Sequence, residues 1–142
     1  MNELARLHVG TKEAFSLIMT HECAHRYLQC VRFEGPCNGS WQNELAADFL
    51  MACRAGLFGM NQINNVMEGL GQSPGSKSHP KGYLRVNFIK HGLQVAQQIK
   101  SELRPVTMND LLNEYGMHYK NMLPYIKKDE KEIYSFIERM RR

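Results

Sequence analysis

The sequence predicts a mainly α chain with little or no β-sheet, and three observations carry that expectation. Apolar residues recur at helical spacing, in Ile63, Val66, Met67 and Leu70 and again in Ile133, Phe136, Ile137 and Met140. Such i, i+3, i+4, i+7 spacing lines up one face of a helix. Capping residues (Thr11, Ser40, Thr107) and Gly- or Pro-rich breaks punctuate these segments, as helix starts and stops require. Extended structure is confined to Val31-Arg32-Phe33, while Leu7 to Gly10 reads as a strand remnant or a helical turn.

The elements follow in order. With Thr11 as N-cap, a first helix is predicted over 12–30, and Phe15, Ile18, Met19 and Leu28 give it a buried character. Glu34-Gly35-Pro36 stops it and Asn38-Gly39-Ser40 turns the chain. A second helix over about 41–54, capped by Ser40, carries Leu45, Phe49, Leu50 and Cys53 on its packing side. Glu44, Ala47, Asp48 and Met51 share another face, and the alanines allow close approach to the first helix. Gly56 and Gly59 are expected to end it, and Ile63, Val66, Met67 and Leu70 mark one face of a third. Residues 69–78, rich in Gly, Ser and Pro, read as a rim beside a cleft or as a linker. A fourth helix is expected to start at His79-Pro80, with proline in its favoured first position, and to reach about Lys100. Pro105 separates a core, residues 1–104, from a helical extension, residues 105–142, expected to pack on it. In that extension a capping-box start at Thr107 to Asp110 opens a helix to about Leu123. Pro124 is expected to break it before a last helix over about 129–141.

Composition narrows the function. A length of 142 residues suits one domain with an ordinary core, and 43% hydrophobic against 23% charged residues suits a soluble globular chain. The net charge of +4 is spread along the sequence and thickens only at Lys127-Lys128 and Arg139 to Arg142. A concentrated basic face is absent, which argues against nucleic acid as a partner. No apolar run has the length of a membrane helix, and the N-terminus lacks a signal-peptide core. Cys23, Cys30, Cys37 and Cys53 form no CxxC pair. They read as reduced packing residues, which points to a cytoplasmic protein.

The chemistry is concentrated in two short motifs. Thr20 to His25 contains HExxH, and Asn43 to Asp48 reads NExxAD. Residues four apart stand one helical turn above each other, so His21 and His25 can aim two imidazoles at one point with Glu22 beside it. Catalytic zinc takes three protein ligands and keeps a fourth position for water. Glu44, on a returning second helix, can be the third ligand. Asp48 lies one turn further on, where a carboxylate can hold a ligand histidine in its tautomer. Cys37 is an alternative ligand with poorer helical support. His8, His91 and His118 have no companions at ligand spacing. The competing reading of the motifs is a solvated helix whose histidines face water.

HExxH followed by NExxAD resembles the gluzincin zinc metallopeptidases. The order continues through Arg54-Ala55-Gly56-Leu57 to Ser78-His79-Pro80 and Arg85, which is similar to the HtpX and CAAX prenyl protease-like family over roughly residues 12–95. The resemblance implies a compact zincin-like helical domain with Zn2+ on His21, His25 and Glu44 and with Glu22 as catalytic base. It also implies that His79 and Arg85 lie near the cleft, supporting the oxyanion of a tetrahedral intermediate or bracing the ligand carboxylates; Tyr83 is a further oxyanion candidate. Two departures stand out. Those relatives are commonly membrane-embedded, and they carry a β-sheet before the HExxH helix, where this chain has almost nothing. The expected activity is zinc-dependent hydrolysis of a peptide or protein substrate, and a partner or second domain that completes the cleft is a further expectation. The alternatives are a zinc-bearing binding or regulatory module and a structural zinc domain.

Overall fold

The computed structural model describes residues 12–30 and 40–141, which form five helices and no strand. In order these are α1 (Lys12–Cys30), α2 (Ser40–Phe58), α3 (Ile63–Leu70), α4 (Gly82–Glu102) and α5 (Met108–Arg141). The mainly α class read from the sequence is the class observed. The expectations placed on Leu7 to Thr11 and on Val31 to Gly39, including Cys37, lie outside the described residues, as does the side chain of Ser40.

The central element is α2, whose residues from Leu45 to Cys53 are all buried. A helix with one apolar stripe covers one flank; this one is covered on every side, and its sequence has small residues where neighbours approach. The most extensive packing is between α2 and α4, followed by α1 on α2. At the α2–α4 crossing a side chain on Gly92 would come within 2.6 Å of the Phe49 carbonyl oxygen, and one on Gly56 would meet the Ala96 methyl at the same distance. These glycines set how closely the two backbones lie. The crossing also explains why α2 runs on to Phe58 and does not end at Gly56: tertiary contact holds that glycine in helix, outweighing its propensity cost of roughly 1 kcal/mol.

Helix α1 runs antiparallel to α2, since His25 meets Asn43 while Thr20 meets Arg54. Its buried stripe is Ala14, Leu17, His21, Ala24 and Leu28, one residue every three or four. Phe15 and Met19, expected to be buried, are 64% and 45% exposed. The small Ala14 and Ala24 are the buried residues in their place.

Helix α4 begins at Gly82, two residues after Pro80. Lys81 has an extended ψ of 145°, and the Gly82 amide donates to the Ser73 carbonyl (2.9 Å). The loop thus draws Pro80 and Lys81 out of the helix, and residues 71–81 form a folded connection. It is tied to the start of α2 by the Trp41 indole, which donates to the Ser76 carbonyl (3.0 Å). Helix α5 starts at the expected capping box, with the Thr107 amide donating to Asp110 and the Asp110 amide to the Thr107 hydroxyl. It then continues through Pro124. Buried Ile126 and Asp129 anchor the chain on both sides of the next turn, and this tertiary anchoring offsets the hydrogen bond that proline removes. Packing persists to Ile133, beyond which Phe136 and Met140 are 55% and 73% exposed.

Candidate metal centre

Two helical turns face each other at the centre of the α1–α2 contact. His21 occupies the middle of the buried stripe of α1, and a polar group there has to be satisfied by partners. Glu44 and Asp48, one turn apart on α2, supply them. The Nε2 of His21 lies 3.1 Å from Glu44 Oε1 and 3.1 Å from Asp48 Oδ1, and the Nε2 of His25 lies 3.2 Å from Glu44 Oε2. One carboxylate therefore spans both imidazoles. The two rings meet edge to face, with centres 4.6 Å apart.

From the other side α4 contributes Arg85, which is fully buried. Its Nη2 donates to Glu44 Oε1 (2.8 Å) and to Asp48 Oδ1 (2.9 Å), and its Nε donates to Asp48 Oδ2 (2.8 Å). This fork-on-carboxylate geometry is the strong form of the Arg–carboxylate pair. Burial opposes charge on His21, yet its hydrogen bonds to Asp48 and Glu44 outweigh it and hold the pKa up at about 9. His25 is shifted the same way: burial resists, and Glu44 prevails. Glu44 is held well below the usual carboxylate range, because both histidines and Arg85 outweigh its own desolvation. With His21 protonated, the two carboxylates balance the imidazolium and the guanidinium.

The same group is suited to a cation. His21, His25 and Glu44 each offer one ligand atom, all within 4.8 Å of one another. Around a tetrahedral ion with bonds of about 2.1 Å, neighbouring donors stand roughly 3.4 Å apart, close to the 3.1 and 3.2 Å separating the nitrogens from the Glu44 oxygens. The Nδ1 of His21 is buried with no hydrogen-bond partner, so the ring's interactions are concentrated on Nε2. In His25, by contrast, Nδ1 is hydrogen-bonded to Asn43 Oδ1. That bond, with Nδ1–H as donor, leaves the His25 Nε2 lone pair for a ligand. The residues present therefore fit a bound metal ion.

The remaining residues singled out in the sequence are placed as follows. Glu22 is about half exposed, with its carboxylate 3.8 Å from His21 Nδ1 at the edge of the group. Asp48 joins His21 to Arg85. Arg85 lies behind the carboxylates and braces them. His79 is in the loop before α4, where its amide donates to Ser76 Oγ (3.1 Å) and its ring is hydrogen-bonded to Ser78 Oγ (2.9 Å). Tyr83 donates its hydroxyl to Asp129 on α5. Asn43 was not singled out: an amide beside a ligand carboxylate gives no signal until the fold brings it under His25. His91 and His118, which have no companions in sequence, stack on each other with ring centres 4.0 Å apart. Burial pushes His118 down to about 4.

Compared with protein-family models, with curated proteins and with solved structures, the chain matches none. The geometry of the site therefore carries the functional reading.

Proposed function

We propose that the chain is a zinc-dependent peptidase, with His21, His25 and Glu44 as the residues that would hold the ion. The observation that carries this reading is the convergence of two imidazoles and a carboxylate with an exposed carboxylate, Glu22, at their edge. Two nitrogens and one oxygen form a donor set that catalytic zinc favours, and three protein ligands leave a position for water. When bound, zinc would lower the pKa of that water towards neutrality and polarise a substrate carbonyl. Glu22, open to solvent, takes the water's proton as general base and later gives it to the leaving amine. Arg85 fixes the orientation of Glu44, while Asp48, which pairs with His21 Nε2 in the metal-free protein, would give up that nitrogen to the ion and keep its bonds to Arg85. Peptides and proteins are the proposed substrates. The free, exposed Cys23 and Cys30 suit a reducing compartment, and we place the protein in the cytoplasm. No helix of the described chain is long and apolar enough to cross a membrane.

A second reading is favoured by one feature. The described residues contain no strand, and extended substrates are commonly held by strand addition. A zinc-bearing binding module, or a peptidase whose cleft a partner completes, accommodates that fact. The deciding experiment is cleavage of a complex peptide mixture by the zinc-loaded wild type and by zinc-loaded Glu22→Gln. Cuts made by the wild type and lost in the variant support the peptidase. Equal cutting by both removes Glu22 from its role, and no cutting by either favours the binding module.

A further inference from the structure

On the opposite flank of α1 from Glu22 lies an apolar groove of about 340 Å³, walled by α1, α2 and the start of α5. Its volume is at the lower end of the range for small-molecule sites and suits a single aliphatic chain. Leu50, Leu57, Phe58 and Leu111 line it on the side of α2 and α5, with Cys23 and Tyr27 along α1. Among its eleven lining residues only Arg54 is charged. The guanidinium of Arg54 is held in place from two directions. Its Nη1 donates to Thr20 Oγ1 and to Ser16 Oγ on α1, and its central carbon stands 5.9 Å from the centre of the Phe58 ring. A guanidinium has five N–H donors in a fixed fork, so one nitrogen fixed on the two hydroxyls leaves further donors for a ligand anion.

An apolar trough with one positive charge, and that charge positioned before any ligand arrives, complements one chemistry: a hydrocarbon chain ending in an anion. A planar carboxylate matches the planar fork. We propose that this groove binds an aliphatic monocarboxylate of fatty-acid type, with its chain along Leu50, Leu57 and Phe58 and its carboxylate on Arg54. The site is separate from the metal group, and binding does not require the peptidase reading. A ligand seated there touches Thr20, Cys23 and Ala24, the immediate neighbours of His21 and His25, so occupancy bears directly on the helix that carries the candidate ligands.

The cysteines provide a local readout. Cys23 lines the groove and is exposed, Cys30 is exposed elsewhere on α1, and Cys53 is buried. The experiment measures iodoacetamide modification of Cys23 and Cys30 in the full chain, by mass spectrometry, with decanoate, octanoate, decanol or acetyl-Ala-Leu added. Decanoate is expected to slow Cys23 modification at least fivefold and to leave Cys30 unchanged. Octanoate, two methylenes shorter, should need roughly fifteenfold more for the same effect, since each buried methylene is worth about fourfold in affinity. In Arg54→Gln, an exposed substitution, decanoate should lose its advantage over decanol. Blocking the groove with Leu57→Trp should abolish protection by every compound, with an unchanged circular-dichroism spectrum showing that the variant folds. Equal slowing of Cys23 and Cys30, or none, overturns the proposal. So does decanol matching decanoate in the wild type, and so does protection by acetyl-Ala-Leu at lower concentration, which would make a peptide C-terminus the occupant.

Discussion

Two clusters of charge flank the first turn of α4, and they have opposite characters. On one side Arg85 reaches Glu44 and Asp48 with both Arg85 and Asp48 wholly removed from solvent. On the other, Lys81 pairs with Glu132 (2.8 Å) and Asp129 (3.4 Å), and Tyr83 donates to Asp129. That second cluster fastens the start of α4 to α5 nearer the surface, where Glu132 is about half exposed and Lys81 partly so, although Asp129 itself is buried. The lesson is that similar pairings do different work according to burial. A solvated pair is screened and pays side-chain entropy, so it adds little to stability. A buried pair is costly to break, because the partner left behind is a charge without water. The surface cluster fastens two helices; the buried one holds a carboxylate in a set orientation between two imidazoles.

The sharpest way to break the comparison is Arg85→Ala, which leaves Asp48 buried without its guanidinium. A loss of about 3–5 kcal/mol in urea unfolding is expected, and a loss no larger than that of Lys81→Ala would contradict the distinction.

Acidity tests the same cluster without mutation. In the metal-free protein His21 has a folded pKa of about 9, raised above the ordinary 6.5. A raised pKa contributes stability that is fully present below pH 6.5 and is lost as pH rises through 9. Metal binding needs the neutral imidazole and therefore strengthens over that window. The unfolding midpoint without metal should fall between pH 6.5 and 9, and the increment produced by saturating zinc should grow. Parallel curves with and without zinc would remove His21 from the ligand set.

Smaller effects sharpen the picture. Asn43→Ala should weaken zinc binding about 10- to 100-fold in calorimetric titration, the usual cost of removing a partner behind a ligand histidine, with little change in metal-free stability. Tyr83→Phe, at the surface cluster, should cost about 1 kcal/mol, the net worth of one hydrogen bond, and leave zinc affinity unchanged. A change in zinc affinity there would mean that the two clusters are coupled through α4.

The bounds of α1 and the presence of α3 were legible because their signals are local: Lys12 to Cys30 coincides with the segment read from its cap and break, while Gly69, read as loop, lies inside α3. The HExxH and NExxAD residues were legible for the same reason. Pro124 misled, since a local rule predicts a break where long-range anchoring by Ile126 and Asp129 keeps α5 continuous. Phe15 misled in the opposite way, because hydrophobicity alone does not say which face of a helix the neighbour takes. Asn43 and the His91–His118 stack gave no signal at all, for each depends on residues many positions away.

The sequence by itself determined the helical class and two i, i+4 pairs, His21 with His25 and Glu44 with Asp48, since helical periodicity is fixed by backbone hydrogen bonds within a turn. Only the tertiary structure decided that these pairs face each other, that one carboxylate spans both imidazoles, and that Arg85 closes the group from behind. Those outcomes rest on how closely α1 and α4 approach α2. That approach is set by packing among alanines and glycines far apart in the chain, and no local pattern encodes it.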